Sequence, residues 1–327
     1  MSKVAHIKVQ EKDEGLRLDR WFQQAYPQLT FGKLQKLLRT GQIRLDGKRV
    51  KTSARLETGQ TIRIPPLKDE GGQKRPEKFV NNADVEEIQS LILHEDDELM
   101  VLNKPSGLAV QGGSKTSRHI DGMLESFLFK GERPKLVHRL DRDTSGLLLI
   151  AKSRRAASKL GAVFRTRSAR KIYWALTHGV PRPHQGEIST FLKKQPGPMG
   201  EIVKVVGQGE PGAQHSHSYY SVVEQAGQKL AWVSLKPVTG RTHQLRVHMA
   251  ELGTPIIGDP KYLNLEPDQK IEGLANKLHL HARRLVIPHP KGGTLDLTAP
   301  LPDHMQESWV HLGFDPLRYD SQANDPE

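Results

Sequence analysis

The stretch 69–88, DEGGQKRPEKFVNNADVEEI, constrains this chain more than any other. It is polar, broken at Gly71-Gly72 and Pro76, and carries neither a helical nor a strand period of apolar residues. No hydrophobic core can run through such a segment, so it reads as a linker. It separates a unit at 1–68 from a larger one at 89–315, and 316–327 (PLRYDSQANDPE) reads as a flexible tail.

Charge follows the same division. The chain has 327 residues and a formal net charge of +12; residues 1–68 hold 15 Lys+Arg against 6 Asp+Glu, the remaining 259 hold 34 against 31. A balance this basic at one end calls for a polyanionic partner. Cysteine is absent, which removes disulfide scaffolds, thiolate nucleophiles and Cys-ligated metals. No apolar run reaches the roughly 18 residues needed to span a bilayer. The N-terminus, MSKVAHIKVQEKDEG, has no apolar export segment, so the expected location is cytoplasmic, with no membrane partner.

Within 1–68, helical spacing from Thr30 to Arg39 puts Lys33, Lys36 and Arg39 on one arc and Leu34, Leu37 and Leu38 on another. A short helix from Leu18 to Tyr26 brings Arg17 and Arg20 beside it. Short β-like runs, Gln42–Leu45 and Gln60–Ile64, follow, with a turn at Asp46-Gly47 carrying Lys48 and Arg49. One apolar stripe and one basic face suit a phosphate backbone, so Arg17, Arg20, Lys33, Lys36, Arg39, Lys48 and Arg49 are the candidate RNA contacts. Residues 15–66, GLRLDRWF through GQTIRIPP, resemble an S4 RNA-binding domain, whose two helices precede a small β unit. That resemblance implies structured RNA, ribosomal above all.

In the larger unit, strand-like runs outnumber helical ones without regular β–α alternation. The expected class is α+β, with a mixed, mostly antiparallel sheet flanked by helices. Leu136–Asp141 and Leu147–Lys152 read as strands joined by a turn at Asp143-Thr144-Ser145-Gly146, which leaves Asp141 at a strand end between Arg139 and Arg142. An isolated Arg-Leu-Asp would ordinarily be a turn cap in a surface ion pair. The whole string HRLDRDTSG is more specific, and it resembles the active-site motif of the RluA family of pseudouridine synthases. ARKIYWALTHG (169–179), PVTGRTHQLRVHMAELGTPIIGDPKYL (237–263) and VLNKPSGLAVQGG (101–113) extend the likeness in the same order.

The resemblance implies the pseudouridine synthase fold, the isomerisation of uridine without metal or other cofactor, and 23S ribosomal RNA, free or in an assembling large subunit, as partner of a monomeric enzyme. Asp141 is then the catalytic carboxylate, Arg241 the cation that pairs with it, and Tyr173 the active-site tyrosine. Arg139 fills the gap left by an extruded base, and Leu245 seals the pocket. Breaking N1–C1′ and remaking the bond at C5 fits a carboxylate as nucleophile at C1′ or C6, or as base at C2′; those routes stay open. Ser216-His217-Ser218 departs from the family's usual Ala-x-Thr.

Competing signals are weaker. The literal G-x-G-x-x-G at Gly207, Gly209 and Gly212 is interrupted by Pro211 and opens no helix. The pairs His215/His217 and His279/His281 lack a third ligand nearby, and read as surface or RNA-facing imidazoles instead of a metal site. Rival readings are a synthase acting on other uridines of the same RNA and a non-catalytic S4 assembly factor.

Overall fold

The computed structural model describes residues 4–67, 81–112, 116, 118–129, 131–197, 200–263 and 271–320. The chain divides into two compact units, Met1–Lys78 and Phe79–Glu327. Most of the expected linker lies outside the described residues, but its end does not: Asn82–Ser90 is a helix with Ile88 fully buried. The Asn81 side chain accepts the Ala83 N–H and starts that helix.

The first unit contains β1 (Ala5–Lys8), α1 (Leu18–Ala25), α2 (Phe31–Arg39), β2 (Arg44–Leu45) and β3 (Thr61–Ile64), with β3 central in an antiparallel sheet. Thr30 caps α2 through the Lys33 N–H, and Leu34 and Leu38 enter a core with Leu18, Phe22, Ile43 and Ile62. Asp46 and Gly47 both have positive φ, 49° and 73°, and close a two-residue hairpin between Leu45 and Lys48.

The second unit begins with α3 (Asn82–Ser90) and the hairpin β4 (Ile92–Glu95) and β5 (Leu99–Lys104). Then come α4 (Ile120–Met123), β6 (Lys135–Leu136), β7 (Ser145–Ala151), α5 (Arg154–Arg165), β8 (Arg170–His178), β9 (Gln185–Gly197) and β10 (Gly200–Val206). β11 (Gln214–Ala226), β12 (Leu230–Pro237), α6 (Gln244–Glu251), β13 (Leu280–Pro288), β14 (Thr294–Thr298), α7 (Asp303–Leu312) and α8 (Pro316–Asp320) complete it. The described strands form one sheet in the order β10-β9-β11-β12-β8-β13-β7-β5-β4, with β14 on β13 and β6 on β7. Among the described strand pairs only β13–β7 is parallel, so the sheet is mixed and mostly antiparallel, as expected. β7 is buried along its whole length, which fits its unbroken apolar run.

Three expectations need correction. The strand expected over Leu136–Asp141 shrinks to β6, because Leu149 spends its N–H on His138 Nε2 and the chain leaves the sheet there. The expected tail begins with α8, and Tyr319 packs edge-on against Trp232 with ring centroids 5.1 Å apart. His279 and His281 are fully buried instead of surface-facing: His279 bonds Ser308 and the Lys277 carbonyl, and His281 bonds Ser145 and the Ala299 carbonyl.

Burial holds the imidazoles of His279 and His248 at about 4, and those of His138 and His281 at about 3. Below the ordinary value of 6.5 the unfolded chain therefore binds protons that the folded chain refuses, so stability falls as pH falls. Urea unfolding at pH 7.5, 6 and 5 is expected to show a steepening loss whose slope exceeds one histidine's contribution of about 1.4 kcal/mol per pH unit. A flat profile from 7 to 5 would contradict the neutral buried imidazoles.

Candidate active site

The segment that carries Asp141 is irregular backbone between β6 and β7, and it is held by residues of β5 and of the turn that follows β5. Lys104, at the end of β5, is fully buried and donates to the carbonyls of Pro105, Leu108 and Arg142 at 2.8–2.9 Å. Those three acceptors match the three N–H bonds of an ammonium group. Burial lowers Lys104 to about 7, against the opposing pull of Asp143 and Asp141. Ser106 donates to the Asp143 carbonyl, and Arg142 and Gly107 exchange two bonds of 3.0 Å. At the other end Gly146, with φ 108°, lies so close to β13 that a Cβ there would sit 2.3 Å from the Ala282 carbonyl oxygen. The carboxylate thus stands on a loop pinned at both ends.

That loop borders a cavity of about 430 Å³ whose wall includes all five residues nominated from the sequence: Arg139, Asp141, Tyr173, Arg241 and Leu245. Asp141 and Tyr173 are half-buried, Leu245 is buried, and Arg139 and Arg241 are exposed. Tyr173 comes from β8 and packs with Leu245 of α6, Leu235 and Leu280. Burial, reinforced by the charge of Asp141, pushes its phenol upward, so it stays protonated near neutral pH.

The cation facing Asp141 is not the one expected. Arg241 turns away and donates from Nε to the His215 carbonyl at 3.0 Å. Arg246 takes the place, with Nη1 3.6 Å from Asp141 Oδ2. Arg246 is buried in α6 and grips the fully buried carboxylate of Asp259 with two bonds of 2.7 Å, from Nε and Nη2. One guanidinium thus bridges two carboxylates, one structural and one at the cavity. The aromatic ring of Tyr262 covers it, 5.2 Å away. The reason for the difference is where α6 starts. The helix runs Gln244–Glu251, so Arg241 precedes it and Arg246 lies on its inner side. Asp259, in the quoted GDPKY string, was the available signal, since a buried carboxylate needs a cation.

Gln244 builds the turn before α6. Its Oε1 accepts from the Arg241 N–H and the Thr239 hydroxyl, and its Nε2 donates to the His217 carbonyl and the Ser218 hydroxyl. Ser216 bonds Thr190 and His248. The two serines that depart from the family's pattern therefore serve buried hydrogen bonds beneath α6. Among the described residues no group of three His, Cys, Asp or Glu is placed to hold a metal ion.

In the first unit, Lys36, Arg39 and Arg49 line one concavity with Lys51, which the sequence reading did not nominate. Arg17 instead forks onto Asp19, Arg20 donates to Gln23, and Lys33 and Lys48 are exposed outside that wall.

Asp259→Asn strips the buried guanidinium of its main partner and is expected to destabilise the fold by about 3 kcal/mol or more in denaturant titration. Arg246→Gln is expected to cost at least about 100-fold in activity, and Arg241→Gln no more than about 10-fold. The reverse order would restore Arg241 to the role first given it.

A family model described as RNA pseudouridylate synthase matches residues 98–251. A Rickettsia felis protein named ribosomal large subunit pseudouridine synthase C is 36% identical over 300 residues, which cover 90% of this chain and 96% of that protein. A Haemophilus influenzae protein of the same name is 37% identical over 311 residues, 94% of each chain. Among solved structures, human RNA pseudouridylate synthase domain containing 4 superimposes with a TM-score of 0.58 at 31% identity, over 72% of this chain and 98% of that one.

Proposed function

This chain belongs to the RNA pseudouridylate synthase family, and we propose that it converts uridines of 23S ribosomal RNA to pseudouridine, with Asp141 as the catalytic carboxylate. The observation that carries the reading is the Asp141–Arg246 pair on the wall of a cavity that Tyr173 and Leu245 also line. The reaction needs no redox partner, because the proton lost at C5 balances the one gained at N1. It needs an extruded base, a carboxylate and a dry wall.

Each residue has a task in that scheme. Arg246 orients Asp141 and keeps one of its oxygens engaged, while the other faces the ribose or the C5–C6 edge of the base. Tyr173 lays its ring against the pyrimidine and offers an O–H; its raised phenol makes it a donor and a surface in preference to a phenolate base. Leu245 keeps water from the reacting atoms. Arg139 and Arg241, both exposed at the rim, meet the vacated stack and the neighbouring phosphates. The basic concavity of the first unit, in the role of an S4 module, holds a more distant RNA helix by its backbone.

The names of the relatives favour the RluC-type set of large-subunit uridines over the RluD-type set. We take the enzyme to act as a cytoplasmic monomer, on free 23S RNA or on an assembling particle. Tritium release from C5-labelled uridine in 23S transcripts tests the chemistry: the wild type should release label and Asp141→Asn should not. Mapping the modified positions then assigns the set, and label release by Asp141→Asn at the wild-type rate would remove Asp141 from its role.

Replacing Lys36, Arg39 and Arg49 together by glutamine should weaken RNA binding and lower the slope of log affinity against log salt by about two to three. An unchanged slope would place the RNA backbone elsewhere.

A further inference from the structure

His243 lies on the cavity wall beside Asp141, in a place that no role above accounts for. Its backbone has φ 53° and ψ 17°, the left-handed region, where a residue with a Cβ costs roughly 1–2 kcal/mol relative to the right-handed form. Glycine is the unstrained choice there, and a strained residue on a cavity wall directs attention to its side chain. As the residue before the first turn of α6, His243 makes no side-chain cap; Gln244 builds that turn instead.

The imidazole is fixed by a chain of hydrogen bonds. The backbone N–H of Val203, in β10, donates to Tyr262 Oη at 2.9 Å. The Tyr262 hydroxyl keeps its own proton, since burial pushes that phenol up to about 12. Oη lies 2.8 Å from His243 Nδ1. With the hydroxyl donating to Nδ1, the neutral ring carries its hydrogen on Nε2, the tautomer that the proposal assigns. Burial holds the imidazole neutral, at about 4, although Asp141 pulls the other way and Arg246 and Lys261 resist protonation. Asp259 also acts on the ring, and Tyr262 is the group bonded to it. Among the described residues nothing bonds Nε2, and the residue is half-buried.

We propose that His243 presents a neutral Nε2–H donor to a carbonyl oxygen of the pyrimidine in the cavity, with Tyr262 as the positioning residue that sets its tautomer. This deepens the pseudouridine reading and rests on it. Every route open to Asp141 loads negative charge onto that pyrimidine. Expulsion from C1′ leaves the N1–C1′ electron pair on the ring, delocalised onto O2 and O4. Addition at C6 moves the C5–C6 pair toward C5 and O4. In each case the pair is used again when C5 bonds C1′, and the C5 proton leaves as N1 gains one. A preorganised donor serves that charge, and a neutral one does so without pairing with the carboxylate needed for chemistry.

The test measures pseudouridine formation by wild type, His243→Gly and Tyr262→Phe on RNA carrying uridine, 2-thiouridine or 4-thiouridine at the target. Glycine fits the left-handed backbone and Phe keeps the ring over Arg246, so both variants should fold; thermal melting checks this. His243→Gly should lower kcat about 100-fold, leave KM within about threefold and be partly rescued by added imidazole. Tyr262→Phe should lower kcat about tenfold. Sulfur is a poor acceptor, so wild type should lose rate with one of the thio substrates, and His243→Gly should lose that penalty. A His243→Gly enzyme within about twofold of wild type, or an identical thio penalty in both, overturns the role of His243 alone. A wild type that makes no pseudouridine overturns the underlying reading and this role together.

Discussion

One buried guanidinium organises the second unit around its cavity. Arg246 is held by two hydrogen bonds to Asp259, a ring of Tyr262 above it, and the inner face of α6 around it. A cation so deeply placed is tolerable only because two carboxylates share it. Asp259 takes the fork, and Nη1 remains for Asp141. The Asp259 bonds fix Arg246 before any RNA arrives, which is the preorganisation that the proposed chemistry requires.

The rest of the fold serves that geometry from the opposite side. Lys104 and the 105–108 turn clamp the Asp141 loop through its carbonyls, while Gly146 lets β7 run against β13 without a side chain between them. Around them, imidazoles that burial keeps neutral tie the residue before β13 to α7, and α6 to β11. These are polar bonds inside a core, each strong because its partners cannot turn to water.

Much of this was legible in the sequence, and the failures have physical causes. Thr30 announces a helix because it caps through its own side chain. Asp141, Tyr173 and Leu245 were found through motif order and do share one cavity wall. Arg246 escaped because a buried arginine among Leu245, Val247 and Met249 gives no local sign of its burial; its warrant is Asp259, thirteen residues further on. The strands β9 and β10 escaped too, since Ser189, Lys193, Lys194 and Lys204 make two half-exposed strands at and next to the sheet edge look like loop. The His279/His281 pair looked like surface because histidine patterns do not reveal whether Ser145 and Ser308 wait inside.

A crystal structure bound to an RNA stem-loop with 5-fluorouridine at the target position tests the central claim most directly, since fluorine blocks proton loss at C5. The fluorinated base should lie inside the cavity, against Tyr173, with an Asp141 oxygen within about 3.5 Å of C1′, C2′ or C6. Arg246 should still bridge Asp259 and Asp141. A base bound outside the cavity, or a carboxylate other than Asp141 at the sugar, would contradict the account.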